Sequence, residues 1–212
     1  MKLYEDKRDL AAAILGVVDG AGRRGLSRDE IHLLTFLVAH GVGRVGEWGF
    51  EASEKGPRSK LVDRIVDELY DDGVVTLRFE RRLGGEALYV PVEVEKLPWA
   101  KEMVEYQVAR DTSESLMEVA KLSTEELMML DYLLAPEYFQ GGVRDELEKR
   151  KAELTAKLVY KGALSLDMAA SLSGLEKRVI EERVEELRRS EEEILALIEA
   201  EGGGGGGCQE QC

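Results

Sequence analysis

Apolar residues recur at helical spacing through most of the chain. Leu10, Ile14, Val17 and Val18 form a stripe that predicts a first helix over 4–18, and Gly20, Gly22 and Gly25 then break the pattern. Ser27-Arg28-Asp29-Glu30 reads as a capping box, in which the Ser oxygen takes a free amide and the Glu three residues on reaches back. The helix it opens, over 31–40, is apolar nearly all round through Leu33, Leu34, Phe36, Leu37 and Val38, so it should be the most buried of its domain. After a glycine-rich loop, Gly56-Pro57 signals a turn. Over 58–72, Leu61, Val62, Ile65, Val66, Leu69 and Tyr70 define one helical face, and Gly73 stops the helix.

The period then changes to two. Val75, Leu77 and Phe79 alternate with polar residues, and after Gly84-Gly85 so do Leu88, Val90 and Val92. A two-residue turn at Gly84-Gly85 would set Phe79 opposite Val90 and Leu77 opposite Val92, with both apolar sets on one side. Three helices followed by a hairpin is the winged helix-turn-helix order.

Pro91 and Pro98 place a domain boundary near 93–98, giving a winged-helix domain over 1–95 and an acidic helical domain over 96–201. In the second, a helix over 99–110 extends, with a break, to Lys121. Ser123-Thr124-Glu125-Glu126 is a further capping box, whose helix ends before Pro136. Gly141-Gly142 precedes a helix over 143–160, ended by Gly162. A second helix-turn-helix unit is legible over 164–187, with Gly174 at its turn. Its following helix is rich in Glu, which favours packing or pairing over DNA. There Ile180, Val184, Leu187, Glu191, Ile194 and Ile198 are spaced 4, 3, 4, 3, 4, a heptad seam interrupted once by Glu191 that points to a homodimer. The expected fold is mainly α with a small β-hairpin.

Charge changes the functional picture. The chain carries a formal net charge of −14, which opposes contact with phosphates. The acidity is uneven: residues 1–92 hold 14 Lys and Arg against 16 Asp and Glu, and residues 93–212 hold 15 against 27. Only the first half could approach a polyanion. Charged residues at 34% and an absence of Asn match the bias of hyperthermophile proteins. No apolar run reaches bilayer length and the first residues lack a signal-peptide pattern, so a cytoplasmic protein with no membrane contact is expected. Gly202 to Gly207 reads as a flexible linker opening a disordered tail over 202–212, and Cys208 and Cys212 alone make an incomplete zinc site.

No catalytic constellation emerges, and neither a cofactor nor a metal is expected. His32 and His40 lie on or at the end of a buried-looking helix and read as core or capping residues. The glycine clusters lack the strand and Lys of phosphate loops. The helix over 58–72 is the candidate recognition helix, with Arg58, Lys60 and Arg64 off its apolar face as candidate contacts to double-stranded DNA. Arg78, Arg81 and Arg82 would grip backbone from the wing. Asp63, Asp67 and Asp71 form an acidic row on the same helix that would repel a groove.

Phe50-x5-Gly56-Pro57-x-Ser59, followed by a helix and Leu69-x3-Gly73-x-Val75, resembles the YwgA-like family of winged-helix proteins. The stretch from Leu158 through Leu164-Ser165-Leu166 and Ala169-Ala170 to Gly174 is similar to a small archaeal helix-turn-helix family of antitoxin type. Both resemblances imply regulatory or toxin-neutralising proteins, not enzymes. The expected function is a dimeric winged-helix DNA-binding regulator of antitoxin-like kind. The alternative is a non-enzymatic adaptor whose acidic half engages a basic protein partner.

Overall fold

The computed structural model describes residues 2–80, 86–91 and 93–202. It is mainly helical, with two small antiparallel hairpins. A short turn α1 (Leu3–Asp6) precedes α2 (Arg8–Gly20), so the expected first helix is divided at Lys7. Then come α3 (Arg28–Gly41), a two-residue hairpin of β1 (Phe50–Glu51) and β2 (Arg58–Ser59), and α4 (Lys60–Asp71). A second hairpin pairs β3 (Val75–Glu80) with β4 (Glu86–Pro91). The remainder is helical: α5 (Pro98–Lys101), α6 (Val104–Ser113) running into a π-helical segment over Glu114–Val119, α7 (Thr124–Leu134), α8 (Gly141–Lys149), α9 (Lys151–Tyr160), α10 (Leu166–Ser173) and α11 (Lys177–Gly202).

Local chemistry accounts for several boundaries. Both capping boxes form: Ser27 with Glu30, and Ser123 with Glu126, each exchanging side-chain and backbone hydrogen bonds. On α4, Val62, Ile65, Val66 and Leu69 are buried as the face predicted, and Gly73 ends the helix at a φ of +66°. The residues matching the winged-helix resemblance do structural work here. Phe50 pairs with Ser59 across the short hairpin. The Ser59 hydroxyl donates to the Trp48 carbonyl at 2.6 Å and accepts from the Leu61 and Val62 amides as the α4 cap. A Cβ at Gly56, whose φ is +89°, would meet the Phe139 ring at 2.8 Å.

The register of the larger hairpin differs from expectation. Leu77 faces Tyr89 and Phe79 faces Ala87, while Leu88 and Val90 lie opposite Arg78 and Thr76. The offset is odd, so the apolar residues of β3 and β4 fall on opposite faces, and Phe79 is left 71% exposed. The cause is tertiary. β4 is held from its other side by Leu26, whose amide donates to the Tyr89 carbonyl at 3.0 Å and whose carbonyl accepts from the Tyr89 amide at 2.7 Å. Gly25 fits beside this bridge because a Cβ there would lie 2.7 Å from Val90. Arg81, Arg82 and Val92 fall outside the described residues.

One contiguous set of buried apolar side chains runs through both halves of the chain. Its tightest contact joins α2 to α6. A Cβ at Gly16 would stand 2.3 Å from the Tyr106 carbonyl oxygen, and one at Gly20 would stand 2.3 Å from that of Arg110. The two glycines thus let the helix backbones touch, and Gly20, expected to break the helix, is its last residue. Polar bonds reinforce the contact: Ser113 donates to the Val17 carbonyl at 2.7 Å and Tyr106 donates to Asp19 at 2.6 Å. A second tie runs from Arg24, which donates to the Leu122 carbonyl at 3.1 Å and to Glu30 at 3.0 Å, while the Thr124 hydroxyl donates to the same Glu30 oxygen.

Candidate functional site

The candidate recognition helix α4 begins at a Ser-capped amino end, and its outer face carries Lys60, Asp63, Arg64, Asp67 and Asp71. The acidic row expected to repel a polyanion is not bare. Arg28, the first residue of α3, donates to Asp63 at 3.2 Å and to Asp67 at 2.5 Å. Its guanidinium also contacts the Tyr89 hydroxyl and lies over the Tyr89 ring, 5.3 Å from the centroid. Partial burial works against charge on Arg28, but the hydrogen bonds to Asp67 and Tyr89 outweigh it and hold its pKa above the ordinary value.

Behind this pair sits His32, fully buried on α3. Its Nδ1 accepts from the Ser59 amide at 3.3 Å, which leaves the proton on Nε2, 3.0 Å from Asp63. Burial, opposed by the hydrogen bond to Asp63, draws the His32 pKa below its usual value, so the ring is neutral at pH 7. For Asp63, burial would raise the pKa, but bonds from His32 and Arg28 hold it below the ordinary range. The constellation is an ion pair with a satisfied core histidine behind it, as the core reading of His32 anticipates. Among the described residues, no group of three or more His, Cys, Asp or Glu is placed to hold a metal ion.

Of the six cations picked out in the sequence, the four among the described residues do not form one free patch. Arg58 donates to Asp29 at 2.5 Å and is mostly buried, with Lys55 also approaching Asp29. Arg78 donates to the Arg24 carbonyl at 2.6 Å and so braces the base of the hairpin. Lys60 and Arg64 are exposed on α4, and among the described residues no ion pair engages them. Arg81 and Arg82 are outside the described residues. Arg28 escaped notice in the sequence because its partners lie more than thirty residues away; the signal was the acidic row itself, which calls for a cation from another element.

The heptad seam on α11 also divides. Ile180 is fully buried, and Val184 and Leu187 pack against the chain's own core. Glu191, the polar interruption of the seam, accepts a hydrogen bond from the Tyr160 hydroxyl of α9. Beyond it Ile194, Leu195, Leu197 and Ile198 are 56%, 53%, 65% and 60% exposed. Among the described residues, no helix is long and apolar enough to cross a membrane. No family model, no curated protein and no solved structure matches the chain.

Proposed function

We propose that the chain is a non-enzymatic interaction module, a winged-helix body whose acidic carboxy-terminal half engages a protein partner. The winged-helix arrangement is supported by the order α2, α3, α4 and hairpin, and by the Leu26 bridge that adds a strand-like segment between α2 and α3 to the edge of β4. The observation that carries the functional reading is the internal use of cations on the amino-terminal half. Arg28, Arg58 and Arg78 are all engaged by groups of the chain itself. Phosphate binding would have to break ion pairs before making new ones, and the net charge of −14 adds an opposing field.

A second reading, a winged-helix DNA-binding regulator of antitoxin-like kind, is favoured by one feature. Lys60 and Arg64 are exposed near the start of α4, and Arg28 offsets two of the three acids beside them. The two readings separate in a titration of fluorescent mixed-sequence duplex DNA at low and moderate salt. The interaction module gives no saturable binding at low salt. The regulator gives binding that weakens steeply with salt, and Lys60→Ala with Arg64→Ala lowers the slope by about one counterion per cation removed.

A further inference from the structure

We infer that the outer face of the last turns of α11 docks a basic amphipathic helix, an inference that rests on the interaction-module reading above. Ile194, Leu195, Leu197 and Ile198 occupy positions i, i+1, i+3 and i+4, so they form one apolar stripe on a straight helix. The chain covers the seam only up to Glu191, which is held by Tyr160, and leaves these four side chains more than half exposed. Aliphatic anchors at this spacing are the helical half of a helix-against-helix contact.

Charge selects the occupant. From Ser190 to Glu199 the sequence carries Glu191, Glu192, Glu193 and Glu199 and neither Lys nor Arg. A second copy laid on this stretch, parallel or antiparallel, would bring glutamates against glutamates with no cation between them. The free stripe is also small for a homodimer. A stable interface takes roughly 20 residues a side, and Ile180, Val184 and Leu187 are already packed within the chain. A partner with Leu or Ile anchors flanked by Lys and Arg satisfies both the stripe and its acidic collar.

The test uses the full chain and a labelled synthetic helix with Leu at i, i+3, i+4 and i+7 and Lys elsewhere, followed by anisotropy at low salt. Saturable binding is expected, with hydrogen-exchange protection confined to 190–199. Ile194→Asp with Ile198→Asp should weaken it at least about tenfold at unchanged helix content. Glu192→Lys with Glu193→Lys should weaken it similarly and favour a peptide with Glu in place of Lys. Equal binding of the Lys and Glu peptides to the native chain would overturn the inference. So would no binding, or a concentration-dependent dimer abolished by Ile194→Asp. Protection by the peptide on a different surface would sink this docking face and leave the interaction module standing. Salt-sensitive binding of duplex DNA would sink the module itself, whatever the peptide does.

Discussion

Gly16→Ala and Gly20→Ala each destabilise the protein by about 3 kcal/mol, and the double variant fails to reach the native state at elevated temperature. The expectation follows from the distances between α2 and α6. Each new Cβ would stand 2.3 Å from a carbonyl oxygen of α6, with Ala109 or Ser113 also within 3.0 Å. Neither obstacle is the flexible end of a side chain, so the helices themselves have to separate. Separation loosens the contact between the two halves and strains the Ser113 and Tyr106 hydrogen bonds. Overpacking of this kind typically costs 1–3 kcal/mol, and backbone contact puts these sites at or above the upper end. In a chain of this size that is a fall in melting temperature of about 8 °C for each variant. Gly41→Ala is the control, because nothing lies within 4 Å of its added Cβ and it closes α3. It should be neutral or slightly stabilising.

Asp131→Asn acts in the opposite direction and stabilises the protein at pH 7, by an amount that grows as pH rises from the acid range. Asp131 is fully buried on α7, and among the described residues neither carboxyl oxygen has a hydrogen-bond partner. Burial pushes its pKa well above the usual carboxylate range. The folded chain therefore keeps a proton that the unfolded chain releases near pH 4. Above that pH the native state binds more protons than the unfolded state, so this group lowers stability progressively until pH passes its native pKa. The amide keeps the shape and removes the ionisation. The gain over the parent should be close to zero near pH 4 and increase toward neutrality, as read from urea midpoints across that range. A constant difference at all pH values would show that Asp131 is not held protonated by burial.

Legibility in the sequence followed the range of the interactions. Helix starts at Ser27 and Ser123 and the stop at Gly73 were readable because cap and partner lie within a few residues. The buried face of α4 was readable for the same reason: its period belongs to one helix. The hairpin register was not, because turn chemistry proposed one pairing and Leu26, more than sixty residues from Tyr89, enforced another. Gly20 was read as a breaker, although its four-residue spacing from Gly16 at the end of an apolar helix also marks close backbone packing.

The candidate sites show the same limit. Arg58 and Arg78 were identifiable as cations, but periodicity does not record that Arg58 donates to Asp29 and Arg78 to the Arg24 carbonyl. The α11 seam was correctly spaced for helix packing. Spacing alone could not separate Ile180, Val184 and Leu187, which face the chain's own core, from Ile194 and Ile198, which face outward.

The central claim is that the guanidinium groups of Arg28, Arg58 and Arg78 are engaged within the molecule. Arginine side-chain Nε–H resonances, followed by NMR while duplex DNA is added, report on it residue by residue. The account predicts that the signals of Arg28, Arg58 and Arg78 stay in place through the titration. Saturable shifts at Arg28 and Arg58, released from Asp63, Asp67 and Asp29 by competing phosphates, would contradict it.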